Sequence, residues 1–168
     1  MSEHYIDQDL KRCIGCHACE IHCKNEHDLG PGPQHCLIVK VGPKVRDGVP
    51  RAQFLFLPCF HCEQAWCMAA CPTGAMKKRE DGIVWVDRDL CVGCKACITA
   101  CPWGVPQWDE ENGKATKCDY CKDRIDRGLE PACVTGCTTK ALRWVKPNEA
   151  SKRKREQFAK EIAENFNY

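Results

Sequence analysis

Sixteen of the 17 cysteines fall into four sets of four. Cys13, Cys16, Cys19 and Cys23 share the spacing C-x2-C-x2-C-x3-C with Cys91, Cys94, Cys97 and Cys101. Cys59, Cys62, Cys67 and Cys71 also open on C-x2-C and close on C-x3-C, as do Cys118, Cys121, Cys133 and Cys137, with four and eleven residues in the middle gap. Only Cys36 stands outside. A C-x2-C step puts two thiolates within reach of neighbouring iron atoms, and a third cysteine three residues on wraps the loop around a cubane. Four-thiolate zinc ribbons also use paired C-x2-C steps, usually a dozen or more residues apart, and the fourth set alone could pass for a variant of that. Four cysteines within eleven residues, as in the first and third sets, suit a cubane better than a tetrahedral ion. Disulfides are the third reading, and an odd count leaves at least one thiol over. Iron-sulfur is preferred, with zinc and disulfides as the alternatives.

On the side of the scaffold, 17 cysteines in 168 residues is about 10%, the level at which composition points to sulfur chemistry. Without them only about a third of the sequence is apolar, too little for an ordinary hydrocarbon core. Residues 1–12 are polar, with no apolar run of a secretion signal, and no window approaches 18 apolar residues. The expectation is a cytoplasmic protein without a transmembrane helix. Formal charge is +2, which by itself suggests neither nucleic acid nor a membrane surface. Between residues 140 and 160, however, eight basic residues face only Glu149 and Glu156. The run Lys152, Arg153, Lys154, Arg155 reads as a solvated helix face or a docking site in preference to a nucleic-acid contact.

The cysteine sets repeat beyond the cysteines. Asp9-Leu10-Lys11-Arg12-Cys13-Ile14-Gly15-Cys16-His17-Ala18-Cys19 aligns with Asp89-Leu90-Cys91-Val92-Gly93-Cys94-Lys95-Ala96-Cys97, and Cys71-Pro72-Thr73-Gly74-Ala75-Met76 with Cys137-Thr138-Thr139-Lys140-Ala141-Leu142. The chain reads as a duplicated unit. Strands are predicted at 37–41 and 54–57, an inserted hairpin interrupted by Pro43 and turned at Asp47-Gly48, with further strands at 83–86 and 142–145. A short helix is predicted at 120–127, ended by Gly128. With Ser151 as N-cap, residues 152–166 carry Phe158, Ile162 and Phe166 at i, i+4, i+8, an amphipathic helix.

These residues resemble the ferredoxin-type electron-transfer subunits of molybdenum or tungsten pterin oxidoreductases, among them dimethyl sulfoxide reductases, formate dehydrogenases and tungsten aldehyde oxidoreductases. The likeness covers about residues 5–145. It is carried by Cys59-Phe60-His61-Cys62-Glu63, Cys71-Pro72-Thr73-Gly74-Ala75, Asp81-Gly82-Ile83-Val84, Cys101-Pro102-Trp103-Gly104, Lys117-Cys118-Asp119-Tyr120-Cys121-Lys122-Asp123-Arg124-Ile125 and Pro131-Ala132-Cys133-Val134. The resemblance implies an α+β, ferredoxin-like fold of two pseudo-symmetric modules, each with two 4Fe-4S clusters, short hairpins and helices. An outer module would comprise 1–35 and 110–146, the inserted hairpin 36–58, an inner module 59–109, and a basic, amphipathic helical tail 147–168. By the crossing of fourth cysteines between clusters, it implies cluster A on Cys13, Cys16, Cys19 and Cys137, and cluster B on Cys118, Cys121, Cys133 and Cys23. Cluster C would take Cys59, Cys62, Cys67 and Cys101, and cluster D Cys91, Cys94, Cys97 and Cys71. Cys36 would not be a ligand. Two stretches depart from the family pattern, Gln64-Ala65-Trp66 before Cys67 and Thr138-Thr139-Lys140 after Cys137; neither removes a ligand.

A cubane bound by four cysteines conducts single electrons and has no open coordination site. The sequence carries no nucleophile-base pair, glycine-rich phosphate loop or flavin fingerprint. The expectation is a non-catalytic subunit relaying electrons between a large tungsten- or molybdenum-pterin catalytic subunit, such as an aldehyde oxidoreductase, and a flavin subunit or soluble ferredoxin. A free-standing polyferredoxin, or a subunit of a hydrogenase or carbon monoxide dehydrogenase, is the alternative. A zinc or iron-sulfur nucleic-acid-binding protein is more remote. His17, His22 and His61, beside the ligands, are expected mostly at the solvated surface, Cys36 as a buried or incidental thiol, and Trp66, Trp103 and Trp108 as shields against water. Four oxidised cubanes at about −2 each would bring the loaded protein from +2 to about −6.

Overall fold

The computed structural model describes residues 3–165. Strand β1 (Tyr5–Gln8) leads into helix α1 (Ala18–Glu26), then the long strands β2 (Leu37–Arg46) and β3 (Val49–Leu57). The middle of the sequence holds α2 (Trp66–Ala69), β4 (Met76–Lys78), β5 (Val84–Val86), α3 (Ala96–Ala100), β6 (Gln107–Asp109) and β7 (Lys114–Thr116). It ends with α4 (Lys122–Ile125), α5 (Ala132–Thr135), β8 (Leu142–Val145) and α6 (Pro147–Asn165). Among the described residues the strands form four antiparallel pairs, β1 with β8, β2 with β3, β4 with β5 and β6 with β7. The first pair joins the two ends of the cysteine-bearing region, Tyr5 opposite Val145 and Gln8 opposite Leu142. Helices α1 and α5 also pack together, and Gly136 sits where any Cβ would run into the His22 ring.

Hydrocarbon is sparse inside. One core gathers Cys19, Cys23, Cys36, Ile38, Phe56, Cys133, Val134, Cys137, Ala141 and Leu142; a second gathers Cys67, Met76, Val84, Cys97 and Ala115. A third, between them, is only Cys59, Ile83, Cys118 and Tyr120. The accessible surface is 10569 Å², against roughly 8,400 Å² for an average monomer of 19.0 kDa. Most residues of the β2–β3 hairpin and of the terminal helix are exposed. Ala115 of β7 is buried with the second core, although the sequence grouped residues from 110 onward with the outer module.

The hairpin is longer than its sequence signal. Pro43 does not end β2: a cis Gly42-Pro43 bond and a register shift between Val41 and Lys44 accommodate it, and pairing resumes to Arg46 opposite Val49. Asp47 (φ 53) and Gly48 (φ 75) make the expected turn, both in the left-handed region that a two-residue hairpin turn requires. Its base is anchored by Gln8, whose Nε2 donates to the Phe54 carbonyl at 2.8 Å while its Oε1 accepts from the Phe56 N–H at 2.9 Å. Strands β1, β4, β6 and β7 had no clear signal, because three- or four-residue strands are too short to show periodicity.

Two helix boundaries differ from expectation. The helix predicted at 120–127 is only α4, since Tyr120 and Cys121 (φ 55 each) are left-handed and belong to the cysteine turn; Gly128 (φ 74) does terminate the following turns. The terminal helix starts at Pro147, not after Ser151, with proline in the first helical position that tolerates its missing N–H. Glu149 accepts the Lys146 N–H at 3.3 Å, and Ser151 lies inside the helix. Asp7, 5% exposed, accepts from Arg153 and from Lys154 Nζ at 3.3 Å, and Lys11 pairs with Glu161 at 2.5 Å. Phe158 and Ile162 are exposed at 63% and 40%; Phe166 lies outside the described residues.

Candidate metal centres

All four C-x2-C turns share one backbone feature. The residue before the second cysteine has positive φ: Gly15 (67), His61 (44), Gly93 (71) and Tyr120 (55). At Gly93 the space is also closed, because a Cβ would lie 2.8 Å from the Gly113 carbonyl oxygen. His17 (φ 60) and Lys95 (φ 63) follow in the same conformation and open α1 and α3. Turns of this kind make concave, anion-binding nests of backbone N–H groups. In the second and fourth sets the position is aromatic: His61 and Tyr120 stack on each other with centroids 3.8 Å apart, and Trp144 meets Tyr120 edge-on at 4.9 Å.

The fold interleaves the sets. Cys59, Cys62, Cys67 and Cys101 line one small cavity together with Trp66, Trp103 and Lys117. Cys71, Cys91, Cys94 and Cys97 line another with Met76, Val86 and Ala115. In the other half, Cys19 and Cys137 are buried in one core with Cys13 against it, and Cys16 Sγ lies 3.9 Å from Thr138 Oγ1. Cys23, Cys118, Cys121 and Cys133 are all buried. None of the 17 thiols forms a disulfide.

The electrostatics describe a site built for cations. Burial pushes Cys19 up to about 12, Cys97 to about 11 and Cys121 to about 12. Burial and then the neighbouring Cys118, Cys23, Cys121 and Cys19 raise Cys133 well above the ordinary thiol range. Thiolates crowded away from water repel one another and lack counter-charge, which iron supplies on binding. Two buried ring nitrogens, His35 Nδ1 and His61 Nε2, have no protein partner, so polar atoms are also left for a group that is not protein. Sulfur donors in sets of four around apolar cavities fit iron-sulfur clusters.

Models of 4Fe-4S dicluster domains match residues 51–146 and 12–75. The protein belongs to the iron-sulfur electron-transfer subunits of molybdopterin oxidoreductases. The B subunit of the anaerobic dimethyl sulfoxide reductase of Escherichia coli K12 is 44% identical over 141 residues, 80% of this sequence and 69% of that protein. The B subunit of the polysulfide reductase of Wolinella succinogenes is 43% identical over 136 residues, 80% and 71% of the two sequences. Thiosulfate reductase electron transfer subunit PhsB of Salmonella typhi is 38% identical over 151 residues, 89% and 79%. As an electron-transfer subunit the dicluster protein is non-catalytic, its cofactors are 4Fe-4S clusters and it works within a hetero-oligomer.

Several side chains of the dicluster subunit sit differently from expectation. His61 is not solvated: it is 0% exposed, its Nδ1 accepts the Val84 N–H at 2.9 Å, and burial holds its pKa well below the ordinary range. The positive-φ turn folds the ring inward against Tyr120, which polarity alone does not reveal. His17 is exposed, with Nδ1 2.8 Å from Glu20 Oε2, and His22 is exposed against Gly136. Trp66 and Trp103 line the first cavity yet remain 63% and 61% exposed, while Trp108 lies under the Lys95 ammonium at 4.2 Å. Cys36 is buried, with Sγ 3.9 Å from the Cys19 carbonyl oxygen. Sequence reasoning passed over His27, whose Nε2 lies 3.3 Å from Cys121 Sγ, and Lys117, buried beside the first cavity.

Proposed function

We propose that the protein holds four 4Fe-4S clusters in two pseudo-symmetric modules and relays electrons along them in the order A, B, C, D. The observation that carries this is that Cys101 shares a cavity with Cys59, Cys62 and Cys67, and Cys71 shares one with Cys91, Cys94 and Cys97, so that three cysteines are joined by one from a different stretch of sequence. In this reading Cys13, Cys16, Cys19 and Cys137 hold A, and Cys23, Cys118, Cys121 and Cys133 hold B. Cys59, Cys62, Cys67 and Cys101 hold C, and Cys71, Cys91, Cys94 and Cys97 hold D, with Cys36 outside. The cavities at C and D support the pairing in that half. Bound clusters supply one-electron chemistry, and the protein's residues bring them close: Cys19 and Cys23 share α1, Cys59 and Cys118 one core, Cys67 and Cys97 another. Cys16 and Cys94 are the exposed thiols, which suits A and D as the terminals. The module boundary is taken near residue 117, because β7 pairs with β6.

One terminal faces a pterin-containing catalytic subunit. The named relatives belong to reductases of dimethyl sulfoxide, thiosulfate and polysulfide, which weighs toward a reductase partner over the aldehyde oxidoreductase that the sequence reading took as its example. The other terminal faces a flavin subunit, a ferredoxin or a further redox protein. No helix among the described residues is long and apolar enough to cross a membrane, and a cytoplasmic complex is proposed. Purification from the native source with metal analysis tests the reading. About 16 iron per protein molecule, four one-electron couples and a co-purifying large subunit with molybdenum or tungsten are expected. A colourless monomer would overturn it.

A further inference from the structure

Lys117 is 4% exposed, the only lysine among the buried polar residues. It precedes Cys118, lines the cavity of Cys59, Cys62, Cys67 and Cys101, and donates from Nζ to the Cys118 carbonyl at 2.6 Å and to the Val84 carbonyl. The ion pairs of the described residues do not include it. Two of its three donors are met by neutral carbonyls, and its charge is met by no carboxylate. A buried ammonium in that position is costly unless a negative group lies close by. The sulfur sets supply it: four thiolates and a cubane carry net negative charge, and the sets of Cys67 and Cys118 lie on either side of this lysine.

We propose that the buried Lys117 ammonium, fixed by the Val84 and Cys118 carbonyls at the joint between the modules, raises the reduction potentials of clusters B and C. The inference rests on the cluster reading above. Adding one electron to a cluster adds one negative charge, so a nearby cation favours the reduced form. Within a dry joint made of Ile83, Val84, His61 and Tyr120 solvent and salt screen that attraction little. Lys117 lines the cavity of the proposed cluster C and adjoins Cys118 of B, and it is not among the residues lining the cavity of D. By raising B and C together, Lys117 keeps the middle of the relay from becoming an uphill barrier between its ends.

The test is redox titration with dithionite of the purified complex, followed by electron paramagnetic resonance, in wild type, Lys117→Gln and Lys117→Arg. Gln keeps a donor for the carbonyls and removes the charge; Arg keeps the charge. Lys117→Gln with full iron is expected to lower two of the four couples by at least a tenfold change in reduction equilibrium, 59 mV for one electron. The other two stay in place, and Lys117→Arg stays within twofold of wild type. The proposal is overturned if Lys117→Gln with full iron moves no couple or moves all four alike, or if Lys117→Arg shifts as far as Gln. Should Lys117→Gln lose iron, Lys117→Arg decides: full iron with unshifted couples sustains a role for the charge, and lost iron or a tenfold shift ends it. A wild-type protein without four couples refutes the cluster reading itself, whereas four couples indifferent to Lys117→Gln refute only this inference.

Discussion

Gly93→Ala isolates how tightly the turn of the third cysteine set is built. Gly93 has φ +71, where an L-residue costs about 1–2 kcal/mol relative to glycine. The new Cβ would lie 2.8 Å from the Gly113 carbonyl oxygen and 3.0 Å from the Trp108 ring, so the β6–β7 hairpin must move. Overpacking of that kind adds about 1–3 kcal/mol. Trp108 yields little, since it lies under Lys95 at 4.2 Å on the same turn. Gly74→Ala is the control: φ is +66, the position follows Cys71, which lines one cavity with Cys91, Cys94 and Cys97, and nothing lies within 4 Å of its Cβ. It carries the backbone cost alone. Because cluster binding and folding are coupled, the assay is the urea midpoint for bleaching of the visible cluster absorbance. With a slope of about 1–3 kcal/mol per molar urea, Gly93→Ala should bleach about 1 M earlier than Gly74→Ala. Equal midpoints for the two variants would refute the argument that the hairpin closes over this turn.

Cys36→Ser should leave iron content and all redox couples unchanged, whereas Cys94→Ser, at an exposed ligand position, should remove or convert one cluster; metal analysis with paramagnetic resonance distinguishes them. Asp7→Asn takes the counter-charge from Arg153 and Lys154. Loss of a charged hydrogen-bonded group costs about 1–3 kcal/mol, so amides of residues 147–165 should exchange roughly 5- to 150-fold faster. Exchange in β4 and β5 should not change; an unaltered α6 would show that the helix is held otherwise.

Much of the chemistry was legible because ligand spacing is a local property. The turn at Gly15 and Gly93 could be read from the aligned glycines, and β8 from a run of β-formers after the last cysteine. At His61 and Tyr120 the same left-handed backbone is occupied by aromatic residues, and no local pattern announces that they will stack on one another across 59 residues of sequence. Lys117 was equally silent. A lysine between a short strand and a cysteine reads as surface, and only the carbonyls of Val84 and Cys118 make its burial tenable.

Sequence by itself determined which sixteen thiols are available, that hydrocarbon could not fill the interior, and that the cysteine spacings repeat along the chain, because these follow from counts and short spacings. Tertiary structure alone decided which thiols share a cavity, that β1 and β8 close the outer half, and that α6 lies along the N-terminal strand through Asp7. It also decided that Lys117 is buried against the Val84 and Cys118 carbonyls. Those are contacts between residues far apart in sequence, selected by burial, counter-charge and steric fit, and none of these is visible until the protein has folded.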